Sequence, residues 1–163
     1  MGNACACDDG REFVDPNEKP DQRTLRNVKD RIDRKLFWSG GLPFKELTDM
    51  MEPKAYSTCS GIAEILKAHP HVGLRIHCYT AQLLNGQDKQ LSQGRADAIY
   101  NQLSQEGCKN VMSAQGYGYA DSLGPRIELI ACDPMDISLI RGEVQWLGEK
   151  TGRACQSPGC AVQ

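Results

Sequence analysis

Residues 91–107 read LSQGRADAIYNQLSQEG. Ala96, Ile99, Tyr100 and Leu103 fall at helical spacing, which predicts an amphipathic helix with one core-facing stripe. Ser92 is a residue type that caps helices, and Gly107 is one that stops them. Upstream, VGLRIHCY at 72–79 alternates, with Val72, Leu74, Ile76 and Cys78 on one face, as in a half-buried strand. The polar loop between strand and helix holds Asn85-Gly86, a turn signal. Downstream, NVMSAQG at 110–116 reads as a second, weaker strand. RIELIAC at 126–132 reads as a third, with Ile127, Leu129 and Ala131 on one face.

Further out, Pro53 opens a helix over 53–68 in which Tyr56, Cys59, Ile62, Ala63 and Leu66 form a core stripe, ended by His69-Pro70. Residues 36–52, with Gly40-Gly41 and Leu42-Pro43-Phe44, read as a short strand or turn. Leu25, Val28, Ile32 and Leu36 give residues 21–35 a narrow amphipathic pattern, and Asp133-Pro134 starts a last helix carrying Ile137, Ile140, Val144 and Leu147. The body order is β(short)-α-β-α-β-β. It predicts an α/β (α+β) two-layer sandwich, a small mixed sheet with helices packed on one face. The chain divides into a flexible leader at 1–20, a basic helix at 21–35, the body at 36–132, a C-terminal helix at 133–148 and a tail at 149–163.

The 163 residues suit one domain with tails. A net charge of −2 argues against nucleic-acid binding by bulk electrostatics. No run of 18 apolar residues predicts a membrane-spanning helix, and residues 1–14 lack the apolar core of a secretory signal. Of the eight cysteines, Cys59, Cys78, Cys108 and Cys132 lie in the body without close pairing, and reduced thiols are expected there. His69, His71, His77 and Cys78 do not share a face, so no metal site is expected. No nucleophile–base pair, phosphate loop or carboxylate pair points to an enzyme or a cofactor.

Three blocks carry a family resemblance. Leu91-Ser92-Gln93-Gly94-Arg95-Ala96 resembles the LSxxRA motif that begins the second core helix of the OmpA-like domain, the C-terminal module of outer membrane protein A. Ser113 to Gly118 resembles that family's strand and turn ending in G-x-G, and Arg126-Ile127-Glu128 resembles the end of its NRRVE strand. The resemblance implies the βαβαβ order of that fold and a site for a peptidoglycan stem peptide. In that family an aspartate of a GHTD turn takes the ammonium of diaminopimelate, and the LSxxRA arginine takes a carboxylate. Carried over, the arginine is Arg95, and Arg126 is what remains of the NRRVE arginines, because the first is Pro125. The aspartate position falls on Thr80, or on Ala81 with a shift of one. The family's loop glycine is Leu83 and its asparagine is Asp88, which could supply a carboxylate from a new position. Losing one charge of a paired site costs about 2–5 kcal/mol, which argues against peptidoglycan binding.

The two ends carry a different message. Met1-Gly2-Asn3-Ala4-Cys5-Ala6-Cys7 resembles an N-myristoylation start, with Cys5 and Cys7 placed for palmitoylation. Cys160-Ala161-Val162-Gln163 resembles a prenylation box, with Cys155 as a further acyl acceptor. Residues 19–35 hold seven basic and three acidic side chains, which attract anionic headgroups. The sequence therefore predicts a non-enzymatic binding or scaffold module. It would be lipid-anchored on the cytosolic face of a eukaryotic membrane, with a protein partner the sequence does not identify. The alternative is a functional peptidoglycan- or anion-binding protein of a bacterial-type cell envelope.

Overall fold

The computed structural model describes residues 19–83, 86–119 and 124–138. Helix α1, Gln22–Ser39, begins at Asp21, whose carboxylate accepts the Thr24 N–H at 2.6 Å. It runs past residue 35 and closes on left-handed Gly40 (φ 76°), with the Gly41 N–H donating to the Leu36 carbonyl at 2.7 Å. Val28 and Ile32 are fully buried, with Leu25 and Leu36 packed beside them. The expected short strand at 36–52 is reduced to a single antiparallel bridge, Phe44 to Met51, because left-handed Gly41 and Leu47 and Pro43 break extended backbone.

Helix α2, Pro53–Lys67, starts with proline in its first turn and buries Cys59, Ile62, Ala63 and Leu66. Tyr56, expected in that stripe, is instead 43% exposed. Ala55 takes the inward place one turn before Cys59, and Tyr56, one residue on, points away from that stripe. Past the end of α2, Asn110 Nδ2 donates to the carbonyls of Leu66, His69 and Val72, pinning the turn that leads from α2 into the sheet.

Strand β1, Gly73–Tyr79, lies at the centre of a three-stranded sheet ordered β2-β1-β3. It pairs parallel with β2, Met112–Gly118, and antiparallel with β3, Arg126–Cys132. Helices α1, α2 and α3 (Asp88–Gln105) bury Leu74, Ile76, Cys78, Ala96, Ile99, Leu103 and Leu129 against the sheet. Helix α3 begins at Asp88, with Gln87 at its cap position, so Ser92 is not the cap but lies one turn inside. Its hydroxyl donates to the Lys89 carbonyl and accepts the Gly118 N–H at 2.8 Å. Residues 134–138 begin the last helix, capped by Asp133 Oδ1 on the Met135 N–H at 3.0 Å. Ile137 meets β1 at Gly73, on the side of the sheet away from Leu74, because side chains alternate along a strand. Ile140, Val144 and Leu147 lie outside the described residues. No described helix is long and apolar enough to cross a membrane.

Candidate anion-binding cleft

Arg95 stands on α3 and reaches toward the 42–51 loop. Its Nε donates to the Thr48 carbonyl at 2.9 Å and Nη2 approaches the Lys45 carbonyl at 3.5 Å. The guanidinium lies 5.2 Å from the Phe44 ring centre, a cation–π distance. The loop is closed around it by the Lys45 N–H on Met50 O and the Glu52 N–H on Pro43 O. Gly94 leaves room for the Asp49 side chain, which a Cβ there would meet at 3.1 Å.

Arg126 comes from β3. The antiparallel register sets it opposite Tyr79 and sets Glu128 opposite His77. Its guanidinium covers the Tyr79 ring at 3.8 Å, and Nε pairs with Glu128 Oε1 at 2.6 Å. Tyr79 in turn stacks on Tyr117 at 5.0 Å and 11°, and His77 meets the Tyr117 ring edge-on at 5.0 Å. An extra residue in β2 makes this possible: Cys78 pairs with Gly116 but Tyr79 with Gly118, leaving Tyr117 between pairs.

Arg95 and Arg126 line one cleft of about 290 Å³, with Phe44, Tyr79, Cys78 and Pro125, and they are the charged residues of its lining. Burial lowers the Arg95 pKa from its ordinary value, opposed by Cys78 and by the nearby Asp49 carboxylate. Burial pushes the Cys78 thiol up to about 12, so it is a neutral part of the wall rather than a nucleophile. Guanidiniums beside aromatic faces suit a planar anion such as a carboxylate, which Arg126 already takes from Glu128.

Thr80 and Asp88 do not join the arginines. Thr80 is buried and its hydroxyl donates to the Asp88 carbonyl at 3.1 Å. The Asp88 carboxylate accepts the Leu83 N–H at 2.5 Å, tying the loop to the start of α3. Neither lines the cleft. A second, larger hollow of about 710 Å³ lies between the 47–49 turn and Gln82, Leu83, Gln87 and Gln90. Gly2, Cys5, Cys7, Cys155 and Cys160 lie outside the described residues. His69 and His71 meet edge to face at 6.3 Å, with Arg31 on His69, while His77 sits on Tyr117. Cys59, Cys78, Cys108 and Cys132 are free and buried.

Sequence reasoning missed Phe44 and Tyr79 as cleft components, and Glu128 as the partner of Arg126. The alternation of 72–79 placed Tyr79 on the same face as His77, so its partner across β3 was readable once the antiparallel pairing was known. The contact of Phe44 with Arg95 spans a loop of irregular backbone and left no periodic signal.

No family model and no curated protein matches the chain. Solved structures do. The periplasmic domain of Helicobacter pylori MotB is similar at 19% identity and TM-score 0.52, over 63% of this chain and 78% of that one. A putative MotB-like protein from Desulfovibrio vulgaris is similar at 14% identity and TM-score 0.52, over 67% and 91%. The OmpA-like domain of FopA1 from Francisella tularensis aligns at 20% identity and TM-score 0.47, over 56% and 70%, and adds no weight at that score. The mixed α/β architecture and the OmpA-like fold expected from the three sequence blocks are thus found.

Proposed function

We propose that the chain is a non-enzymatic OmpA-like binding module that takes a carboxylate of a peptidoglycan-type peptide, or a similar anion, between Arg95 and Arg126. The observation that supports it is that both arginines border one cleft. Both come from blocks that carry the resemblance, yet they are 31 residues apart in sequence and on different elements. The missing aspartate removes a partner for an ammonium, not the carboxylate seat. The module therefore recognises the acid end of its ligand and discriminates weakly among the groups beyond it. Peptidoglycan stays within reach on this reading, and the expectation against it draws no support from the cleft. The MotB domain of similar fold is periplasmic, which favours the cell-envelope alternative over a eukaryotic cytosolic face.

The test is co-sedimentation with insoluble peptidoglycan. The wild type should pellet, and Arg95→Gln together with Arg126→Gln should stay soluble with an unchanged circular dichroism spectrum. A wild type that stays soluble at every peptidoglycan load, or a double variant that still pellets, overturns the reading. The lipid anchors at Gly2, Cys5, Cys7, Cys155 and Cys160 form a second reading, supported by the residue patterns at both ends. Intact mass of the protein from its native cell reads every such lipid at once, and an unmodified mass ends it.

A further inference from the structure

Helix α1 carries a second surface, separate from the cleft. Arg31, Arg34, Lys35 and Trp38 stand at i, i+3, i+4 and i+7, one stripe of the helix. With Ile65 of α2 they border a shallow depression of about 270 Å³. Gly61 of α2 makes room for it: a Cβ there would fall 2.2 Å from Lys35 Cε, so the aliphatic stem of Lys35 lies along α2. At the end of the stripe Phe37 and Trp38 are each 79% exposed and meet edge to face at 5.6 Å. Lys54 brings a further ammonium to Gly40, beside them.

A single exposed aromatic side chain needs no explanation. A paired indole and phenyl ring rimmed by four cations, on a chain of net charge −2, is a different arrangement. Cations at the rim call for an anionic partner, and protruding rings call for an apolar layer just beneath the charge. An anionic lipid surface has both, headgroups outside and acyl chains within, and tryptophan favours that boundary. The stripe is a convex ridge over a shallow hollow, which fits a deformable plane better than a rigid folded partner. We infer that this face docks on an anionic lipid surface, with Trp38 and Phe37 at the headgroup boundary and Arg31, Arg34, Lys35 and Lys54 on the headgroups. The inference extends the attraction expected of residues 19–35 from charge alone to a surface with an aromatic edge, and it requires no covalent lipid.

The test uses the full chain without attached lipid and with Trp146→Phe, so that Trp38 is the sole indole. Vesicles of phosphatidylcholine with and without roughly one-third phosphatidylglycerol are added at low salt. Trp38 emission should shift to the blue and be quenched by brominated acyl chains, with the anionic vesicles only. Arg34→Gln and Lys35→Gln should each weaken partition about fivefold, and added salt should weaken it further. Trp38→Ala should lower the sedimented fraction severalfold, while Arg126→Gln should leave it unchanged, which separates this surface from the cleft. No blue shift, equal response to neutral vesicles, or partition indifferent to Arg34 and Lys35 overturns the inference. So does binding to a soluble polyanion such as RNA in place of vesicles.

Discussion

At the scale of single residues, the contact that fixes the site is between glycine and helix. A Cβ on Gly116 would lie 2.2 Å from the Gln93 backbone nitrogen and 2.5 Å from the Ser92 carbonyl carbon. Only glycine lets β2 approach α3 this closely, and the contact is sealed by Gln93 Oε1 accepting the Gly116 N–H and Ser92 Oγ accepting the Gly118 N–H, both at 2.8 Å. Gly116→Ala should therefore destabilise the fold by about 3 kcal/mol, read as a lower urea midpoint. Ser92→Ala should cost about 1–3 kcal/mol, because it strands a buried N–H. A midpoint unchanged in either variant would contradict the packing described. The sequence showed Ser92 and the two glycines as motif letters but not their pairing. A serine near a helix start reads as a cap, and only the approach of a distant strand gives it a different partner.

Thiols give a second residue-scale outcome. Burial pushes Cys59 and Cys78 from the ordinary value of 9.0 to about 12. Between those values the unfolded chain has lost thiol protons that the folded chain keeps, so folding stability falls as pH rises. The thiol contribution is fully present below pH 9 and is lost progressively toward 12. Urea midpoints measured across that window should decline in the wild type and decline less in Cys78→Ala, compared with each protein's own value at pH 8. A parallel decline in the two proteins would contradict the assignment.

At the scale of elements, the 42–51 loop and α3 depend on each other. Arg95 supplies the loop with hydrogen bonds to the Thr48 and Lys45 carbonyls and a face for Phe44. Arg95→Ala should therefore speed hydrogen exchange at the Lys45 and Glu52 amides by about tenfold, the equivalent of one lost hydrogen bond. Amides of α3 around Ile99 and Leu103 should keep their protection. Uniform acceleration would mean global destabilisation instead, and no acceleration would mean the loop holds itself. Periodicity made β1, β3, α2 and α3 legible, since each buries one face and each shows it in the alternation or stripe. The loop was not legible. It is held by carbonyls and by left-handed Leu47 at φ 56°, and neither leaves a pattern in side-chain type.

At the scale of the whole molecule, two cationic features occupy a chain whose net charge is −2. The α1 ridge faces outward, and the cleft that Arg95 and Arg126 border opens between α3, the 42–51 loop and the adjoining ends of β1 and β3. The resemblance singles out both arginines, and the fold brings both to the border of one cleft. Antiparallel β3 returns its first residue to the end of β1, so Arg126 stands beside Tyr79 and borders the same cleft as Arg95. Thr80 and Asp88, also singled out by the resemblance, instead hold the loop to α3.

The most direct test is therefore a titration of the full chain with a peptidoglycan stem peptide bearing free carboxylates, followed by NMR at the arginine Nε–H resonances, beside the same peptide with every carboxylate amidated. Saturable shifts at both Arg95 and Arg126 with the acid, at least tenfold weaker binding of the amide, and loss of the Arg95 response in Arg126→Gln are the predicted result. Equal responses to acid and amide, or no response at either arginine, would contradict the account.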